Sequence, residues 1–471
     1  MDAIPNIPVD MNNLSTIERT PVEIWREILS QVLKTWLLPG NGDNLLDDLL
    51  LFNADCESTL EYTRVESIRR QLRLVCRTWK GLADEHNIAL TISDLRDISI
   101  PSKSDISRAR RIQFPSTWKC ICKRCPHQFG SGSVVATSMA YQTTTSSLRG
   151  TRKEVTLPFK PERARVILLK PLQRDILDYL QHTPCLSAFA AHINEFWEGK
   201  EPQIHTLFAG LTHLCLSTTS PVGPAITLHL QHLKFLDIGF SKDSLSKGTL
   251  SRLESWKFPQ LTSLRIGGII DATSSDKVSA FSRSHATTLE NLITEHTFVL
   301  DGVPLPRIID FQLLGGLPRL KAFGISILTL DQLSDDLSSN DHLGDYHSPR
   351  QLSLLLTDID IFRNWHHVGI VLIAKQCIRL CTSPTSRFGE VVIPYSWKQL
   401  TSKYDAEFQY SLGNIHEVAQ HDPFFSASVF FGEIYESNVP FLDREGVDLR
   451  GSGGGQEFMR RLEQFWPKAI A

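Results

Sequence analysis

Cys120, Cys122, Cys125 and His127 bring three thiols and an imidazole into eight residues, a donor set suited to zinc. Structural zinc, however, is held by two clips separated by a longer loop, each clip with two to four residues between its ligands. Cys120 and Cys122 are separated by one residue and no second cluster lies nearby. The set is therefore a weak metal candidate, and neither a metal nor a cofactor is expected. His366 and His367 are adjacent rather than four apart, so on a helix their rings diverge. The chain contains no G-x-S-x-G elbow, no G-x-x-x-x-G-K-[ST] loop, no H-E-x-x-H pair and no G-x-G-x-x-G turn. No catalytic constellation is legible, and the chain is not expected to be an enzyme.

Binding rather than chemistry is then the function to look for. A length of 471 residues suffices for several domains or for one domain plus an extended array. With 49 basic against 52 acidic residues, the net charge of −3 offers no electrostatic case for nucleic acid, and Arg108–Arg111 is too short for a basic patch. The longest apolar run, Val368 to Ala374, stops at Lys375, well short of a membrane helix, and no membrane partner is expected. Asp2 and Asp10 with no apolar core between them do not read as a secretory signal. Nine cysteines in such a chain point to reduced thiols, hence to the cytoplasm or the nucleus.

Two amphipathic stretches near the N-terminus carry the strongest pattern. In the first, Thr20 and Glu23 have capping-box spacing, with Pro21 at the first helical position. Ile24, Ile28, Leu29, Val32, Leu33 and Trp36 then repeat at steps of three and four, which reads as one apolar helix face. In the second, Ile68, Leu72, Val75, Trp79 and Leu82 keep the same period, while Arg69, Arg70, Arg73, Arg77 and Lys80 are assigned to the exposed side. The strings P-x-E-I-x-x-x-I-L and L-R-L-V-C-R-x-W-x-x-L-A resemble the F-box, the helical module that docks onto the Skp-type adaptor of cullin-based ubiquitin ligases. The resemblance covers about a sixth of the chain and is closest in style to the F-box families of mushroom-forming fungi. It implies that Pro21, Ile24, Trp25, Ile28, Leu29, Leu72, Val75, Cys76 and Trp79 supply the adaptor-binding face or its support. Two departures stand out: Thr20 occupies the usual leucine position, and residues 36–63 form a long insert. Within the insert, residues 44–52 are expected to form a short leucine-rich helix folding back on the first one.

Further on, a leucine pattern recurs. Leu211-Thr-His-Leu214-Cys-Leu216, Leu233-Lys-Phe-Leu236-Asp-Ile238 and Leu261-Thr-Ser-Leu264-Arg-Ile266 are good copies, preceded by a weak one at Leu186 and continued by Leu289-Glu-Asn-Leu292 and by the copy at Leu320. The starts are separated by 25, 22, 28, 28 and 31 residues, near the leucine-rich period of about 20–29. A single copy cannot bury its leucines, so neighbours must stack into a continuous core. The array resembles a degenerate leucine-rich repeat, with Thr219, Ser241, Ile269, Thr297 and Leu328 where the family favours Asn or Cys. Leu214, Leu236, Leu264 and Leu292 are expected to point inward on successive parallel strands. Thr212, Lys234, Thr262 and Glu290 are expected to line one exposed surface that selects a protein substrate.

The expected fold class is an α/β repeat: an F-box-like helical module, an irregular leucine-rich-repeat solenoid and a C-terminal α/β cap. The expected organisation is a disordered tail at 1–16, the helical module at 17–88, a lead-in segment at 89–128 and a disordered Ser/Thr-rich loop at 129–154. The repeat array follows at 155–357, the cap at 358–445, and a glycine linker with a short terminal helix at 446–471. Such an order of parts implies a substrate adaptor of a ubiquitin ligase, binding a Skp-type protein and through it a cullin, and acting as a monomer within that complex. The alternative is a ligase-independent interaction scaffold whose F-box is purely structural.

Overall fold

The computed structural model describes residues 20–33, 38–39, 45–52, 56–85, 89–91, 109–113, 162–168, 180–181, 183–193, 199–218, 227–240, 255–268, 272–295, 316–325, 352–356, 369–383, 387–393 and 432–451, with isolated positions 253, 314, 397, 456 and 460. In chain order its elements are α1 (Val22–Val32), α2 (Leu45–Leu51), α3 (Cys56–Leu72), α4 (Arg77–Glu85), β1 (Ala89–Thr91), β2 (Arg111–Gln113), β3 (Val166–Leu168), β4 (Ala188–Ile193), α5 (Glu201–Leu207), β5 (His213–Thr218), β6 (Phe235–Phe240), β7 (Ser263–Gly268), α6 (Ala272–Ser284), β8 (Asn291–Glu295), β9 (Ala322–Ile325), β10 (Leu352–Leu356), α7 (Gly369–Thr382), β11 (Phe388–Val392) and β12 (Phe441–Leu442). The chain divides into two compact units. The first comprises Met1–Leu37, Ala54–Lys170 and Gln181–Cys185; the second comprises Leu38–Asn53, Pro171–Leu180 and Leu186–Ala471.

The first unit holds α1, α3 and α4 together with the parallel strands β1, β2 and β3, each paired to the next. The apolar stripe of α1 is wider than one face. Leu29 and Leu33 are buried, whereas Ile24, Ile28 and Val32, at steps of four, look outward. The second sequence stretch is two helices rather than one: the chain leaves α3 at Leu72 and turns through Leu74 and Val75 into α4. Cys76 caps α4, its Sγ accepting from the Trp79 N–H at 3.5 Å, the geometry of an N-cap side chain reaching the third helical residue. An unbroken heptad-like period cannot reveal such a break, because the apolar positions on both sides stay in phase.

The second unit is a parallel α/β structure in which β4 to β12 pair in chain order, each with its sequence neighbours. Register aligns Phe189, Leu214, Leu236, Leu264, Leu292, Phe323, Leu354, Val391 and Phe441 in one row. All nine are fully buried. Burying large apolar side chains is worth about 1.5–3 kcal/mol each, so this row is the principal source of cohesion between strands. A second buried row, Leu216, Ile238 and Ile266, runs two residues further along. Phe208 just after α5 meets Phe189 at 5.1 Å between ring centroids. In the last turn of α6, Phe281 and the adjoining His285 pack with Phe258. The same parallel order continues past residue 357, through β11 and β12, into the segment assigned above to a cap.

Several sequence expectations lie outside the described residues. They include Cys120, Cys122, Cys125 and His127, the Ser/Thr-rich loop, the five turn positions from Thr219 to Leu328, His366–His367 and the N-terminal tail. Among the described residues no group of His, Cys, Asp and Glu could hold a metal, and no helix is long and apolar enough to cross a membrane.

Candidate interaction surfaces

On the first unit the residues singled out for docking separate into a support and a surface. Trp25 and Trp79 are half-buried with ring centroids 4.8 Å apart, and Leu29 is buried. Leu72 is half-buried at the end of α3. By contrast Ile24 is 50% exposed, Ile28 41% and Val75 52%, with Val32 and Leu74 also outward. Pro21 and Cys76 are exposed as well. Polar pairing holds the helices beside this apolar surface. Arg69 is not on the exposed side assigned to it; it is buried, donating to Glu66 at 2.5 and 2.7 Å and to Asp84 at 3.2 Å. Arg73 also reaches Asp84, at 3.0 Å. Burial opposes ionisation of Glu66, but its bonds and charge attraction to Arg69 and Arg70 prevail and hold the carboxyl below its usual value. The i, i+3 spacing of Glu66 and Arg69 was the readable signal for this pair.

On the second unit, side chains alternate along each strand, so His213 and Cys215 face away from Leu214 and Leu216. Their register partners continue that second face, Phe235, Ser263, Asn291 and Ala322 beside His213, and Asp237, Arg265, Ile293, Gly324 and Leu355 beside Cys215, and most of it is buried. Thr212, Lys234, Thr262 and Glu290 lie two residues before the leucines, so alternation does not carry them to this side. They form a hydrogen-bonded row just ahead of the strands instead, Lys234 N–H donating to Thr212, Thr262 to Lys234 and Glu290 to Thr262. The Thr212 and Thr262 hydroxyls are spent on the carbonyls of Ser187 and Lys234. Glu290 binds Lys321 at 2.6 Å. The residues missed by sequence reading are those between the second and third leucine of each copy.

This face grades from polar to apolar. Arg265 donates to Asp237 at 2.8 Å, and the Cys215 Sγ lies 3.5 Å from the same carboxylate. Burial first, then the Asp237 charge, push the Cys215 thiol well above its ordinary value, so it is held as an unreactive thiol. Ile293 and Leu355 form the apolar end, where Gly324 leaves room: a Cβ there would stand 2.7 Å from Ile293 Cγ1.

The helix α2 lies on this side. Leu45 and Leu49, with Val392, pack against Ile293 and Leu355. Asp48 binds His213 Nε2 at 2.9 Å, and Phe52 stacks on Phe235 at 5.9 Å. The Thr212 hydroxyl, which donates to the Ser187 carbonyl, also lies 2.8 Å from His213 Nδ1, so the ring is engaged at both nitrogens. The helix predicted to fold back on α1 thus belongs to the sheet. Comparison with protein-family models and with characterised proteins gives no match.

Proposed function

We propose that this chain is the substrate-recognition adaptor of a Skp–cullin–F-box ubiquitin ligase. In this reading α1, α3 and α4 are an F-box-like module, and β4 to β12 are an irregular leucine-rich-repeat solenoid that binds a protein substrate. The ubiquitin-transfer chemistry belongs to other subunits, and the complex works in the cytoplasm or nucleus. The observation that carries the reading is the outward apolar set Ile24, Ile28 and Val75, on the helices whose sequence resembles the F-box. Apolar side chains turned to water on the helices that carry one motif are what an interaction site requires. The test is co-purification of the full chain with a Skp-type adaptor. Stoichiometric capture is expected, and Ile28→Asp with Val75→Asp should abolish it without unfolding the chain, because about half of each side chain is already in water. Capture that survives the double substitution contradicts this docking surface. A wild-type chain that captures no adaptor favours the ligase-independent scaffold.

A further inference from the structure

We infer that the face of the β4–β12 sheet now covered by α2 is a binding site for an acidic, leucine-bearing amphipathic helix, and that α2 is a built-in competitor which a partner must displace. The inference deepens the recognition role proposed for the sheet, but its test does not depend on any ligase component.

The site is visible through its present occupant. Leu45, Asp48 and Leu49 of α2 and the following Phe52 engage three distinct features of one surface. An apolar floor of Ile293 and Leu355 takes Leu45 and Leu49. A buried imidazole, His213, takes the carboxylate of Asp48. An aromatic face, Phe235, takes Phe52. Leucine, acid and aromatic positions at 45, 48–49 and 52 follow helical spacing, which is the i, i+3, i+4, i+7 code by which grooves select helices. The site is specific for charge as well as shape. A partner with Lys at the Asp48 position would set a cation against His213 and leave the ring nitrogen without an acceptor.

Displaceability follows from length and chain position. A seven-residue helix is far below the roughly 12–15 residues at which isolated helices become marginal in water, so α2 owes its form to the sheet beneath it. It comes from the insert between α1 and α3, and neither strand pairing nor the buried leucine row of the sheet draws on it. Being tethered, it competes at an effective concentration of about millimolar, which raises the affinity a partner needs.

The experiment uses the full chain and a fluorescein-labelled peptide of residues 42–54, read by fluorescence anisotropy. Two variants unseat α2 to different degrees: Leu45→Asp with Leu49→Asp, and the milder Asp48→Asn. The double variant is expected to bind the peptide saturably and at least tenfold more tightly than wild type, with Asp48→Asn between them. A peptide carrying Lys at position 48 should lose that binding, as should the double variant when His213→Ala is added. Equal peptide affinity in wild type and the double variant overturns the inference. So does absence of binding to a double variant that retains its cooperative unfolding transition. Loss of the folded state in both variants makes α2 a fixed layer of the core and overturns it equally.

Discussion

The rings of Trp25 and Trp79 meet with centroids 4.8 Å apart and planes tilted by 54°, tying α1 to α4 across the helical unit. The indole N–H of Trp79 is buried with no hydrogen-bond partner among the described residues, so its contribution is packing alone. Trp79→Ala removes that packing and is expected to cost about 3–5 kcal/mol, enough to open residues 20–85 to protease. Trp79→Phe keeps an aromatic contact and deletes an unpaired donor, so it should stay far closer to wild type. Limited proteolysis of the two variants side by side checks the contrast. Equal sensitivity would show that Trp79 is peripheral.

Glu66 gives the same unit an acid-sensitive element. Its folded value lies below the ordinary 4.5, because Arg69 and Arg70 outweigh the cost of burial. The stabilisation is therefore complete above 4.5 and is lost as pH falls through the lower folded value. Glu66→Gln should flatten the stability profile below pH 4.5 and leave Arg69 short of a charged partner at neutral pH. Denaturant melts across pH 3–6 provide the measurement.

His285 works in a higher window. Its Nε2 accepts from the Phe258 N–H at 3.3 Å while Nδ1–H donates to the Phe281 carbonyl at 3.0 Å, and burial lowers its basicity below the ordinary 6.5. A ring held neutral contributes fully above 6.5, and that contribution is lost as pH falls through the folded value. His285→Phe preserves ring packing but strands the Phe258 N–H, for an expected loss of about 1–3 kcal/mol at neutral pH. The variant should also lose the pH dependence that sets in as pH falls below 6.5, which thermal melts would record.

What could be read from the sequence, and what could not, divides along local and non-local causes. The leucines of β5 to β8 announce themselves because each strand carries the same three-position signature at a near-constant interval. The destination of α2 does not, since Leu45 and Leu49 would suit any apolar surface and their partners Ile293 and Leu355 lie far along the chain. The burial of Arg69 was hidden for a related reason: Glu66 is local, but Asp84 approaches only once α3 and α4 have turned against each other. Counting two residues back from each leucine stays on the leucine side of the alternation, so Thr212, Lys234, Thr262 and Glu290 do not mark the opposite face.

Gly324 tests the packing of the face that α2 covers. An added Cβ would meet Ile293 at 2.7, 3.0 and 3.1 Å from three of its carbons, near the base of a side chain that is itself fully buried. Gly324→Ala is expected to cost about 1–3 kcal/mol through overpacking. Ile293→Ala in the same molecule should recover part of the loss, because it removes the opposing atoms. A neutral Gly324→Ala, measured by denaturant unfolding, would mean the sheet yields locally.

The leucine row offers the most direct measure of how the strands depend on one another. Leu264 is fully buried, with Leu236 on one side and Leu292 on the other in unbroken parallel register. Leu264→Ala should cost about 2–5 kcal/mol, since the neighbouring strands cannot close the gap without losing their own pairing. Lys234, exposed in the row ahead of the strands, is the matched control, and Lys234→Ala should change stability by no more than about 0.5 kcal/mol. In a ladder where each strand rests on its neighbours, the damage spreads outward from the substituted strand. Amide exchange should therefore accelerate most in β6, β7 and β8 and least in β11. Uniform acceleration across β4 to β11 would instead mean that the whole sheet opens as a single cooperative unit.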